Sequence, residues 1–100
     1  MSTDKNVKLI PLSQDRTAVV DAYLYDELSQ YKWYAMASGN NYYATRNTVV
    51  DYTGTLVLMH RQIMNAPSNQ TVKHINGNSL DNRRNNLRLI HADNGTVNSY

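Results

Sequence analysis

The chain has 100 residues, with 10 Lys and Arg against 8 Asp and Glu and a formal net charge of +2, which suits one small domain. Cysteine is absent, and this excludes a disulfide framework and thiolate metal ligands. No segment approaches the roughly 18 consecutive apolar residues of a membrane span, and the N-terminus lacks the apolar stretch of a secretory signal. We therefore expect a cytoplasmic protein with no membrane partner.

The charges are distributed unevenly. Residues 1–54 carry five Lys or Arg against six acids, whereas residues 55–100 carry five Lys or Arg against two acids. A basic second half is compatible with phosphate contacts and has the opposite sign to an acidic mimic of DNA. Eight Tyr, one Trp and no Phe suit both a small core and an interface.

The first half predicts antiparallel strands around one helix. Pro11 ends the first strand candidate, and Asp21 stands where a helix N-cap is expected. The segment from Ser38 to Asn40 favours a hairpin turn. The predicted elements are strands at Val7–Ile10, Thr17–Val20, Lys32–Ala37 and Asn41–Val50, with a helix at Asp21–Tyr31.

The second half is predicted to begin with a turn at Asp51–Gly54 and a short helix that ends near Pro67. The elements predicted around them are strands at Thr55–Leu58 and Thr71–Ile75, a tight turn at Asn76–Asn78, a helix or helical turn at Asn82–Leu89, and a final helix at Asp93–Tyr100. Together the elements predict an α+β fold in one compact domain. Residues 1–54 form a small antiparallel sheet with a helix, and residues 55–100 form a ββα-like part. The expected core comprises Ile10, Val19, Leu28, Trp33, Leu56, Leu58, Ile63, Ile75, Leu87 and Leu89.

An unusually polar motif occupies residues 74–89. It contains the runs His74–Asn78, Leu80–Arg84 and Asn86–Leu89, in which Asn and Arg stand where a generic fold would place apolar residues. Composition alone indicates a loop-rich segment that binds an anion.

In order and spacing, this motif resembles the HNH endonucleases of phages and mobile introns, a family of ββα-metal nucleases. Residues 74–88 match without a gap, and His60-Arg61 with Ile63-Met64 matches upstream. Segments of the first half are similar as well, so the resemblance covers nearly the whole chain. These segments are Ile10–Leu12, Ala18–Asp21, Lys32–Tyr34 and Tyr42–Ala44.

The resemblance implies a mechanism in which a neutral His takes a proton from the attacking water while a divalent metal polarises the phosphate. His74 matches the general base, and Asn86 matches the Asn that orients it. Many members of the family hold the metal on an Asp just before the base and on an Asn or His of the final helix.

This sequence departs from the family at both metal positions. Lys73 replaces the Asp, and an ammonium group cannot ligate Mg²⁺, although it could supply positive charge near the phosphate. Gly95 stands at the second position, and a one-residue deletion would bring Asn94 there instead. We therefore expect no metal, with Asn94 and His91 as weak candidate ligands, and Mg or Mn only if the chain is active.

Three functions follow from the resemblance. The first is a catalytically impaired, phage-encoded binding protein that contacts nucleic acid or inhibits a host nucleic-acid-targeting complex, such as a CRISPR effector. The second is a repressor-like DNA-binding module, and the third is an active DNA endonuclease. A homodimer is compatible with the sequence, but no residue selects it. The residues expected to contact nucleic acid or a partner are Lys73, Arg83, Arg84, Arg88, Arg46, Tyr42 and Tyr43.

Overall fold

The computed structural model describes residues 6–50 and 53–91. Within these ranges the strands are β1 (Val7–Pro11), β2 (Thr17–Asp21), β3 (Tyr34–Ser38), β4 (Asn41–Val50), β5 (Thr53–Leu58), β6 (Gln70–His74) and β7 (Leu87–His91), and the helices are α1 (Ala22–Leu28), α2 (Met59–Met64) and a 3₁₀ helix at Arg84–Asn86. The strands pair antiparallel as β1–β2, β3–β4–β5 and β6–β7. The predicted mixture of antiparallel strands and helices is therefore confirmed. No helix in this part of the chain is long and apolar enough to cross a membrane.

The β3–β4 hairpin forms where the turn was predicted. Ser38 pairs with Asn41, so Gly39 and Asn40 form a two-residue loop. Gly39 has a φ of 60°, a conformation that glycine adopts without the steric cost borne by other residues. The tight turn fixes the register that carries Tyr43 toward the second half of the molecule.

Asp21 stands at the N-cap position of α1, but its side chain makes no capping hydrogen bond to that helix. Its carboxylate instead accepts a hydrogen bond of 2.7 Å from the main-chain N–H of Arg84, the first residue of the 3₁₀ helix. Beside this contact, Val19 N–H donates to Leu80 O and Asn82 N–H donates to Val19 O, at 2.9 and 2.7 Å. The loop between β6 and β7 is therefore fastened to β2.

A helix or helical turn was predicted at Asn82–Leu89, and the structure has a helical turn there, a single 3₁₀ turn at Arg84–Asn86. The prediction is wrong for Leu87–Leu89, where the chain extends into β7. Pairing with β6 decides the outcome, because Leu87 lies opposite His74 and is buried. The final helix predicted at Asp93–Tyr100 lies outside the described residues.

The core lies where β1, β2, α1 and the start of α2 meet. Its buried residues are Ile10, Ala18, Val20, Leu28, Trp33, Ala44 and Met59. Of the predicted core, Ile10, Leu28, Trp33 and Leu87 are buried, whereas Val19, Leu58 and Ile63 are half-buried. The prediction is wrong for Leu56, Ile75 and Leu89, which are 52, 59 and 38% exposed. Leu56 faces outward from β5, and Ile75 lies just after the end of β6.

Candidate functional site

An open cleft of about 570 Å³ lies between the β3–β4 hairpin, the start of α2 and β6. His74 reaches it from the end of β6, and His60 reaches it from the second position of α2. Tyr43 of β4 lines the same cleft. Three parts of the chain that are remote in sequence thus bring their ring side chains together at one place.

The three rings form a contact cluster. The centroids of His60 and His74 lie 4.8 Å apart, and those of Tyr43 lie 5.6 Å from His60 and 6.2 Å from His74. His60 is 6% exposed. Burial, with smaller contributions from the charges of His74 and Arg61, lowers the pKa of His60 from 6.5 to about 4. His60 is therefore neutral at physiological pH.

Asn82 is the residue that holds the His74 ring. Its Oδ1 lies 2.7 Å from His74 Nε2, and the Asn82 side chain is fully buried. A neutral His74 that donates from Nε2 to this oxygen keeps Nδ1 as its acceptor. The Asn82 Nδ2 group has no hydrogen-bond partner within the described ranges. Within the described part of the chain, the contact with His74 is thus the one hydrogen bond found for the Asn82 side-chain amide.

Asn86 closes the loop between β6 and β7. Its Oδ1 accepts from Asn76 N–H at 3.0 Å, and its Nδ2 donates to Asn76 Oδ1 and Asp81 O, both at 2.9 Å. These bonds fix the loop that begins directly after His74. The predicted role of Asn86 in orienting His74 stays a prediction, since the side chain that touches the ring is that of Asn82.

Arg83 is held by an acid of its own loop. Its Nε and Nη2 donate to the two carboxylate oxygens of Asp81 at 2.7 and 2.8 Å. The hydrogen bonds from Arg83 lower the pKa of Asp81, and Asp81 raises that of Arg83. Asn76 Nδ2 donates to the same carboxylate at 2.9 Å. The structure therefore places Arg83 in an ion pair within the loop.

Two other predicted contact residues also have intramolecular partners. Arg46 donates to Gln62 Oε1 at 2.9 Å, and its guanidinium lies 3.9 Å from the ring centroid of Tyr31. The guanidinium of Arg16 lies 3.5 Å from the ring centroid of Tyr42. The two cation–π contacts lie within the first half of the chain, whereas the hydrogen bond to Gln62 joins β4 to α2.

Lys73, Arg84 and Arg88 present exposed side chains, for which no ion pair or hydrogen bond is found within residues 6–50 and 53–91. Lys73 and Arg88 lie directly opposite each other on β6 and β7. Two opposed cations do not fit a magnesium or manganese site, because both repel a dication and neither supplies a lone pair.

The weak candidate ligands are not tested by the structure. His91 ends β7 opposite Gln70, and nothing further is described of its side chain, while Asn94 lies outside the described residues. In the described part of the chain no group of three or more His, Cys, Asp or Glu side chains converges on one point. The expected absence of a metal stays a prediction.

The positions of His60 and Asn82 beside His74 were not predicted from the sequence. No role in the site was predicted for either residue. Both lie within the segments that carry the resemblance, which was the available signal. A scan against family models, a search of curated proteins and a search of solved structures each find no match for this chain.

Proposed function

We propose that this chain binds nucleic-acid phosphates through the β6–β7 hairpin and acts by contact, on a framework derived from the HNH-type ββα nucleases. The observation that carries the proposal is the pair formed by Lys73 and Arg88, which are exposed and directly opposed. Like charges at opposed positions destabilise an antiparallel pair of strands. An anion that lies between the two side chains removes this repulsion, and a phosphodiester is such an anion.

Arg84 adds a third exposed cation in the same half of the chain. Its main chain is fixed by Asp21, so its side chain projects from a well-placed backbone. Arg83 is excluded from the proposed contacts, because Asp81 already holds its guanidinium at two points. The proposed interface therefore has three phosphate contacts: Lys73, Arg84 and Arg88.

The partner we propose is nucleic acid in the host cytoplasm, either free or within a nucleic-acid-targeting complex such as a CRISPR effector. The position of His74 at a strand end, followed by a loop closed by Asn86, supports the HNH-type framework of the proposal. A protein that keeps this framework with cations at the phosphate-facing hairpin can bind a strand without cutting it.

The proposal is tested by fluorescence anisotropy with short labelled single- and double-stranded DNA and RNA, over about 50 to 200 mM salt. Three phosphate contacts predict a slope of log affinity against log salt of about −2.7 on duplex DNA, at about −0.9 for each contact. Lys73→Gln and Arg88→Gln should each reduce the slope by about 0.9 and weaken binding to all sequences alike.

Lys32→Gln is the matched control, because Lys32 is an exposed lysine that follows α1 in the first half of the chain. Its slope should equal that of the parent protein. Binding that does not respond to salt, or that responds equally to all three substitutions, would contradict the proposal. If free nucleic acid does not bind, affinity capture of the same variants with a purified CRISPR effector tests the second form of the partner.

A working endonuclease is a second candidate, favoured by the geometry of His74. The Asn82 contact at Nε2 leaves Nδ1 to accept a proton, as a general base requires. Incubation with supercoiled plasmid and Mg²⁺ or Mn²⁺, beside His74→Ala and a chelator, separates the two candidates. Nicking that both controls abolish supports the endonuclease; intact plasmid beside salt-dependent binding supports action by contact.

A further inference from the structure

We propose that His60 and His74 together form a binding site for a borderline divalent ion of the Zn²⁺, Co²⁺ or Ni²⁺ class. The site does not depend on the nucleic-acid proposal, and it uses neither of the positions at which the resemblance implies a metal. It rests on the distance between the two rings, on the contact behind His74, and on the open cleft in front of both.

The spacing of the rings suits two imidazole ligands of one ion. A zinc–nitrogen bond of about 2.1 Å places the ion roughly 3.2 Å from the centre of each ring. Two ring centroids that lie 4.8 Å apart then subtend an angle of roughly 95–100° at the ion, which ordinary coordination geometries accommodate. The other coordination positions would face the cleft that both rings line.

The surroundings of His74 match those of a metal-bound imidazole. Such a ring commonly donates its second N–H to a carbonyl or carboxylate oxygen, which fixes its tautomer and orientation. Asn82 Oδ1 provides this acceptor at Nε2, from a fully buried side chain whose main chain is bonded to β2. Nδ1 of His74 is then the coordinating atom.

His60 qualifies as the second ligand by its position. It is the second residue of α2, and its ring lines the same cleft as the ring of His74.

The class of ion follows from the donors. Asp81 does not offer a free carboxylate, because Arg83 and Asn76 occupy its oxygens, and Lys73 lines the cleft with a positive charge. Mg²⁺ and Ca²⁺ require oxygen donors and are repelled by such surroundings. Ions that bond strongly to imidazole nitrogen tolerate them better.

The test is a titration of the chelator-treated full chain with Co²⁺, followed by visible absorption, and with Zn²⁺ in competition. We expect one equivalent to bind, and His60→Gln and His74→Gln each to weaken binding by at least about tenfold. His91→Gln is the matched control, since it removes the third histidine, and it should bind as the parent does. Loss of binding only in His91→Gln, or no saturation below about 1 mM free ion, overturns the proposal.

A measurement on the unsubstituted protein covers the case in which a histidine variant does not fold. Long-range ¹H–¹⁵N NMR spectra report the ring nitrogens of each histidine separately. On addition of Zn²⁺ we expect a nitrogen of His60 and Nδ1 of His74 to shift together, with His91 unchanged. Shifts in His91 alone overturn the site.

Anisotropy with nucleic acid in the presence of chelator should be unaffected, so the two proposals fail independently.

Discussion

Substitution or protonation of the buried polar side chains around His74 is expected to change the free energy of unfolding most. Asn82 is fully buried, and His60 is 6% exposed. In such places a lost hydrogen bond or an added proton is not compensated by water. Both residues therefore connect the chemistry of the site to the stability of the fold.

Replacing Asn82 by Ala should lower the free energy of unfolding by about 1–3 kcal/mol, because His74 Nε2 loses its hydrogen-bond partner in a part-buried place. Urea unfolding followed by circular dichroism measures the change. Asn85→Ala is the matched control, as Asn85 is an exposed asparagine of the same loop, and its effect should stay within about 0.5 kcal/mol. Equal effects of the two substitutions would contradict the role of Asn82.

Stability should also depend on pH through His60. Its pKa in the folded chain, about 4, lies below the ordinary value of 6.5, so the unfolded chain takes up the proton first as the pH falls. The free energy of unfolding should therefore be at its full value above pH 6.5 and decrease by on the order of 2–3 kcal/mol by pH 4. Urea titrations across this window, beside His60→Gln, measure it. A decrease of the same size in the variant would assign the effect to other groups.

The face of a strand on which a residue lies could not be predicted at every position. On β2 the alternation buries Ala18 and Val20, whereas Val19 was predicted for the core. A shift of one residue reverses the face of every side chain on a strand. The run Ala18–Val20 is apolar throughout, so it contains no polar residue to indicate which alternate positions face the core. The roles of His60 and Asn82 depend on neighbours that are remote in sequence.

At the scale of elements, the β6–β7 hairpin carries an unfavourable feature in the pairing of Lys73 with Arg88. Replacing Lys73 by Glu creates an opposite-charge pair and should raise the free energy of unfolding by about 0.2–1 kcal/mol. The same substitution should abolish binding to nucleic acid. Gain of stability together with loss of binding distinguishes a functional pair of cations from an incidental one.

Charge reversal on both strands provides the control for this experiment. Arg88→Glu should be stabilising as well, whereas the double variant again has like charges opposed and should lose both gains. Equilibrium urea unfolding of the four proteins at low salt measures the coupling. Additive effects in this cycle would mean that the two side chains do not interact.

Elements with local signals could be predicted, and those decided by distant partners could not. The β3–β4 hairpin follows from Gly39, which alone supplies the turn conformation. The segment after Asn82 has no such signal. Its Leu87-Arg-Leu89 alternation is compatible with a strand, but only pairing with β6 distinguishes a strand there from a helix.

At the scale of the whole molecule, the division into residues 1–54 and 55–100 runs through a sheet. β4 lies in the first part and most of β5 in the second, and they pair from Thr45 with Leu58 to Val50 with Thr53. The contacts of Val19 and Asp21 with the β6–β7 loop join the two parts at a second place. The three-stranded sheet and the core therefore draw residues from both parts, whereas the β1–β2 and β6–β7 pairs each lie within one part.

We therefore expect a fragment of residues 55–100 not to fold, and the full chain to unfold in one transition. The fragment lacks the partner of β5 and the anchor of the β6–β7 loop. Thermal circular dichroism of the fragment should show no cooperative transition. As a control, the fragment is mixed with an equimolar amount of a fragment of residues 1–54, to measure whether the cooperative transition returns. A cooperative transition in the isolated fragment would show an independent unit.

The contact between Asp21 and Arg84 shows why this joining could not be predicted. The two residues are 63 positions apart, and the sequence around Asp21 favours capping of the adjacent α1. The Asp21 carboxylate instead accepts a hydrogen bond from the first residue of the 3₁₀ helix, Arg84, which lies near Asp21 only in the folded chain. Sequence patterns predict the elements on either side of such a contact, but the geometry of assembly decides which partner is used.

Trp33 gives this molecule an optical reporter without any added label. It is the only tryptophan of the chain, it is 3% exposed, and its indole N–H donates to Leu28 O at 2.7 Å. An indole shielded from water emits at shorter wavelength than a hydrated one, so the colour of its emission reports whether the first half is intact. The rings of His60 and His74, seen separately by NMR, report on the second half. Simultaneous loss of both signals would show that the cleft exists only as long as the core does.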